Sequence, residues 1–182
     1  VFGGLSIGGR IAEGLAATRP ELVRAMVISN TAAKIGTIEM WQERMDAVAQ
    51  GGIAALADPI LERWFSKPFR EGDEIIAWRN LLIRQPAEGY IGCCAAIAET
   101  DLFESTVELR LPTLAIAGSE DGSTPPDLVR ETGELIPGSQ FHLIRGAGHL
   151  PCVEASEEYA RVLSAFLEGT GHVCAPCGWL ED

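Results

Sequence analysis

Gly4-Leu5-Ser6-Ile7-Gly8 follows the G-x-S-x-G pattern of a nucleophile elbow. A strand that breaks sharply into a helix at such a motif lifts the serine hydroxyl onto the tip of the turn. The backbone N–H of the next residue, here Ile7, then faces the oxygen that turns negative during acyl transfer. Gly4 and Gly8 are expected to let the turn pack against its neighbouring strands without a Cβ in the way. An elbow needs a strand in front of it, and Val1-Phe2-Gly3 supplies barely the end of one. The 182 residues are therefore expected to lack the amino-terminal strands.

Downstream of the elbow, Ile7 to Thr18 has helical spacing, with Ile11, Leu15 and Ala16 on one face and Arg10, Glu13 and Arg19 available to water. Ala25 to Ser29 is a short apolar run of the kind that forms a buried parallel strand. From about Thr37 to Asp101 the pattern is helical throughout, in stretches Glu39–Ala49, Ile53–Phe65, Asp73–Leu82 and Ala87–Ala98. Strand–helix alternation then returns: Thr113–Ala117, a helix from Pro126 to Leu135, Gln140–Arg145 and a last helix from about Ser156 to Leu167. Such alternation implies an α/β architecture, a parallel sheet with crossover helices. Residues 1–30 and 110–168 form the core of this reading, 31–109 an inserted helical cap, and 169–182 an aperiodic tail expected to fray.

Composition narrows the function classes. Hydrophobic residues at 47% and charged residues at 22% are globular values. A net charge of −12 argues against nucleic acid, whose phosphates need a basic face. No apolar run approaches a membrane span, and no basic-then-apolar leader opens the chain. The five cysteines, Cys93, Cys94, Cys152, Cys174 and Cys177, show no framework spacing and read as reduced thiols in a cytoplasmic protein. Cys174-Ala-Pro-Cys177 is a lone C-x-x-C without a second pair, read as incidental, and no metal site is expected.

Three residues stand in loops after predicted strand ends, where open α/β sheets place their sites. They are Ser6, Asp121 in Gly118-Ser119-Glu120-Asp121, and His149 in Gly146-Ala147-Gly148-His149. Serine is a poor nucleophile until an imidazole takes its proton, and a carboxylate behind the imidazole fixes the tautomer. Glu120 is a rival acid to Asp121, whereas His142 lies mid-strand and His172 in the tail.

Gly4-Leu5-Ser6-Ile7-Gly8-Gly9, Ser29-Asn30-Thr31-Ala32-Ala33-Lys34-Ile35-Gly36, Gly118 to Pro126 and Gly146 to Glu154 together resemble the 3-oxoadipate enol-lactonases, α/β-hydrolases of aromatic catabolism in the β-ketoadipate pathway. The likeness runs from Val1 to about Leu167 and includes Met40-Trp41 and Glu62-Arg63-Trp64-Phe65. It implies an α/β-hydrolase fold, here a fragment with the last four strands. It also implies a reaction in which Ser6 opens the lactone ring, His149 moves the proton and Asp121 orients His149, with no cofactor. Ile7 N–H is one oxyanion donor, and the second belongs to a loop after an earlier strand. The substrate is a small anionic lactone, so a cation should meet its carboxylate in the cap. Residues 31–110 carry eight Lys/Arg against thirteen Asp/Glu, so a particular arginine must override a net repulsion. Arg63, Arg79 and Arg84 are the candidates, with Trp64 as a pocket wall.

Two alternatives remain at this point: another activity of the same fold, a C–C bond or carboxylic ester hydrolase, or a catalytically incompetent fragment. Without the flanking strand and the second donor, these residues alone are expected to be poorly soluble and nearly inactive. Oligomeric state and any fusion partner domain beyond Asp182 are left open.

Overall fold

Strands β1 (Phe2–Leu5), β2 (Met26–Ser29), β3 (Thr113–Gly118) and β4 (Gln140–Ile144) form one parallel sheet in that order. They belong to a computed structural model that describes residues 1–173. The register sets Phe2 opposite Met26, Met26 opposite Thr113 and Leu114 opposite Gln140. Every residue of β2 and β3 is buried, which explains why both read as unbroken apolar runs and not as alternating ones.

Side-chain alternation divides these strands between two layers. Met26, Ile28, Ala115 and Ala117 pack beneath Ala12 and Ala16 of α1 (Ile7–Thr18) and Val129 of α8 (Pro126–Glu134). Val27, Leu114 and Ile116 face the other way, onto Val162 and Phe166 of α10 (Ser156–Gly169). Helices thus cover both faces of the sheet.

Between β2 and β3 the chain runs through α2 (Ile38–Gly51), a 3-10 turn (Ile53–Leu56), α3 (Ala57–Trp64), α4 (Lys67–Arg70), α5 (Glu74–Ile83), α6 (Ala87–Glu99) and α7 (Phe103–Val107). Val48, Ile53, Ile60, Leu61, Phe65 and Leu82 give this cap segment a core of its own. Thr37 starts α2 by accepting a hydrogen bond from Met40 N at 3.2 Å. The single helix expected over 53–65 is broken, because Pro59 lacks an N–H and fits only the first turn of a helix that restarts at Ala57. One-turn helices α4, α7 and α9 (Pro151–Glu154) are too short to leave a periodic signature. Residues 174–182, with Cys174 and Cys177, lie outside the described residues.

The expected orientation of α1 is corrected by the structure. Arg10 and Glu13 are only 4% and 1% exposed, while Ile11 is 56% exposed. The small side of the helix, Ala12 and Ala16, faces the sheet. Arg10 is tolerated inside because its guanidinium donates to Ala32 O at 3.0 Å, to Ala33 O at 3.2 Å and to Thr100 O. It thereby ties the departure and return points of the cap segment to the helix that follows Ser6. Among the described residues neither Glu13 carboxylate oxygen has a hydrogen-bond partner. Burial pushes this carboxyl up to about 7, with Arg10 pulling it the other way.

A raised carboxyl has a defined thermodynamic sign. The unfolded chain releases the Glu13 proton near 4.5 and the folded chain near 7, so stability falls across that window and is flat above it. Glu13→Gln removes this term. Its stability advantage over the parent should grow by about 3 kcal/mol between pH 4 and pH 8, measured by urea unfolding at both values.

Candidate active site

The elbow is strained, and hydrogen bonds and close packing hold it. Ser6 has φ 54° and ψ −120°, a conformation that non-glycine residues rarely adopt. Three bonds fix it: Ser6 N donates to Ser29 O at 2.9 Å, Thr31 Oγ1 to Ser6 O at 2.8 Å, and Gly9 N to Ser6 O at 2.9 Å. A Cβ on Gly4 would run into the Gly8 carbonyl, and one on Gly9 would come within 2.6 Å of Thr31 Cγ2. A Cβ on Gly8 would meet open space, so the packing requirement expected there falls on Gly9 instead. Ile7 opens α1, where backbone N–H groups have no intrahelical acceptor.

Asp121 and His149 meet across the loops after β3 and β4. His149 Nδ1 and Asp121 Oδ2 are 2.8 Å apart, with both side chains shut off from water. Asp121 Oδ2 also accepts from Asn30 Nδ2 at 2.8 Å and Thr124 Oγ1 at 2.8 Å. Its Oδ1 accepts from the backbone N–H groups of Ser123 at 2.7 Å and Thr124 at 3.1 Å. Burial pushes the Asp121 carboxyl up, but the His149 bond and charge, with Asn30 and Ser123 N–H, outweigh it and hold the group below its ordinary range. An ionised Asp121 can only accept, which puts the imidazole proton on Nδ1 and leaves Nε2 of a neutral ring free to take another. Glu120, the rival acid, accepts from Ser119 Oγ at the surface. His142 pairs with Glu158 of α10 at 3.0 Å, away from Asp121 and Ser6.

Ser6, Ile7 and His149 line one cavity of about 220 Å³. Among the described residues the hydrogen bonds of the His149 ring go to Asp121 and Thr124, not to Ser6. The cap segment supplies the opposite wall through Trp41 and Arg44 of α2, Arg63 and Trp64 of α3 and Tyr90 of α6. The Trp64 indole stacks 6.1 Å from the His149 ring.

Of the four cap residues picked from sequence, Arg63 and Trp64 reach this cavity. Arg79 and Arg84 do not. Arg79 pairs with Asp58 at 2.9 Å on the surface, and Arg84 lies in a separate groove beside Ala77 and Leu81. Arg44 was missed. Its spacing from Trp41, three residues along one helix face, was the available signal, and its guanidinium lies 5.0 Å from the Trp41 ring centre. Burial, then the like charge of Arg44, draws Arg63 below the usual arginine range. Neither arginine forms an ion pair among the described residues. Asn30 was also missed as a partner of Asp121, since nothing in a lone asparagine after a strand announces that contact.

Among the described residues no three His, Cys, Asp or Glu side chains gather as metal ligands, and no helix is long and apolar enough to cross a membrane.

An elbow serine, a strand-end acid and a strand-end histidine on a parallel sheet define a class. The chain belongs to the α/β hydrolase fold family, whose profile matches residues 1–156. It is 33% identical over 169 residues to 3-oxoadipate enol-lactonase 1 of Acinetobacter baylyi, covering 92% of this chain and 63% of that protein. The solved enol-lactonase of Burkholderia xenovorans LB400 superposes with a TM-score of 0.86 at 30% identity, covering 91% of this chain and 64% of that one. A malate-bound thermophilic esterase from Thermogutta terrifontis gives 0.85 at 28% identity, covering 94% and 65%. The chain thus spans less than two thirds of the length of these relatives.

Asn30→Ala removes a donor to a buried carboxylate and places alanine at φ 47°. It should cost about 1–3 kcal/mol by thermal unfolding and move Asp121 back toward the ordinary carboxylate range. Carboxyl-carbon NMR through an acid titration checks the second effect.

Proposed function

We propose that this chain carries the catalytic machinery of a serine hydrolase that opens 3-oxoadipate enol-lactone to 3-oxoadipate. The observation that carries the reading is the Asp121–His149 pair, whose His149 lines the same cavity as Ser6, opposite two arginines that form no ion pair among the described residues. Ser6 Oγ attacks the ring carbonyl while His149 Nε2 takes its proton. The developing oxyanion is met by Ile7 N–H. The ring C–O bond breaks, and the enol oxygen leaves with the proton returned by His149. Water, deprotonated by the same imidazole, then attacks the acyl-enzyme and releases the carboxylate and Ser6. Arg44 and Arg63 hold the free carboxylate of the substrate, and Trp64 walls the site beside His149. Asp121 keeps the tautomer and steadies the imidazolium. The machinery needs neither metal nor organic cofactor.

A carboxylic ester hydrolase using the same three residues is the second reading, favoured by the likeness to the Thermogutta terrifontis esterase. The two part on the acid-binding wall. Loss of enol-lactone absorbance should fall to background in Ser6→Ala, and Asp121→Asn should lower kcat by about 10⁴-fold. Arg44→Gln with Arg63→Gln should raise KM for the anionic lactone at least tenfold more than KM for a neutral ester. Equal changes for both substrates would favour the esterase. Turnover unchanged in Ser6→Ala would end both readings.

A further inference from the structure

Four residues of the cap segment, Arg63 to Ser66, are laced by backbone into both loops that carry the acid and the histidine. Gly122 N, beside Asp121, donates to Arg63 O at 3.0 Å. His149 N donates to Trp64 O at 2.7 Å. The approach is close enough that a Cβ on Gly148 would strike Trp64 O and come within 3.1 Å of Phe65 Cα. At this seam lies a carboxylate that the proposed chemistry does not use. Glu154, at the end of the one-turn helix α9, accepts from Gly148 N at 2.7 Å through Oε1 and from Ser66 N at 3.0 Å through Oε2. Gly148 is the residue before His149. Its own carbonyl accepts from Asn30 Nδ2 at 3.3 Å, and the same Nδ2 holds Asp121.

We propose that Glu154 is a positioning residue: by bridging Gly148 N and Ser66 N it locks the His149 loop to the cap segment and fixes the imidazole beside Ser6 and Asp121. The inference rests on the serine hydrolase reading for its effect on rate, but the bridge itself stands on geometry alone. A carboxylate suits the position because both facing groups are donors and an ionised Glu is acceptor on both oxygens. Charge also strengthens each bond relative to a neutral acceptor. Glutamine of the same size offers one acceptor and turns an NH₂ toward the other N–H, leaving two donors face to face. Because the side chains of Arg63 and Trp64 line the cavity while their carbonyls hold Gly122 and His149, the bridge places substrate contact and triad geometry on one rigid segment.

The test compares Glu154→Gln, which keeps size, and Glu154→Ala with the parent and Ser6→Ala, using enol-lactone and p-nitrophenyl acetate. Expected are a kcat about 10- to 100-fold lower in the Glu154 variants with KM changed less than about threefold. The imidazole Nδ1–H resonance of His149 should shift or broaden, and the Gly148 and Ser66 amides should exchange faster with solvent. Variants that are merely less stable, with kcat, the His149 resonance and exchange at those two amides all unchanged in the folded protein, would overturn the proposal. Equal turnover by the parent and Ser6→Ala would instead overturn the hydrolase reading, while the amide exchange and the His149 resonance still decide the bridge.

Discussion

The buried 2.8 Å bond between His149 Nδ1 and Asp121 Oδ2 is the interaction on which the rest of this structure converges. A carboxylate cut off from water is costly unless its lone pairs are filled, and here every direction is occupied. The donors come from three places: Asn30 after β2, the Ser123–Thr124 turn after β3, and His149 after β4. The parallel register makes this convergence possible, because it brings the carboxyl ends of all the strands to one edge. The acid therefore stays ionised in a dry site, and an ionised acid can orient an imidazole.

Strain is concentrated at the same edge. Among the described residues the two non-glycine residues with positive φ are Ser6 and Asn30, which follow adjacent strands β1 and β2. Each such conformation costs on the order of 1–3 kcal/mol and persists only where surrounding contacts over-determine it. Thr31 Oγ1 on Ser6 O and the Asp121 carboxylate on Asn30 Nδ2 are such contacts. The cap segment closes over the strained edge and contributes cations that the sheet lacks. Arg44 and Arg63 both line the cavity, the charge of one acts on the other, and among the described residues neither forms an ion pair.

The sheet was legible in sequence because buried parallel strands write themselves as short apolar runs and because Pro and Gly mark their ends. The strand-end positions of Ser6, Asp121 and His149 were legible because each follows such a run. The orientation of α1 was not, since a helical-wheel reading treats Arg10 and Glu13 as solvent-seeking and cannot know that backbone carbonyls of Ala32, Ala33 and Thr100 will receive the guanidinium. Choosing among cap arginines failed for a related reason. Arg63, Arg79 and Arg84 look alike in sequence, and only the packing of α3 against α5 sends Arg79 outward to Asp58. Asn30 and Glu154 act through contacts 91 and 88 residues away, a separation that no local pattern encodes.

The central claim is that a hydroxyl at Ser6 is made nucleophilic by His149. Reaction of the chain with a fluorophosphonate, followed by peptide mass spectrometry, tests it directly. One adduct on Ser6, slowed strongly in Asp121→Asn and absent in His149→Ala, is the predicted result. Labelling at another residue, or labelling of Ser6 at the same rate without His149, would contradict it.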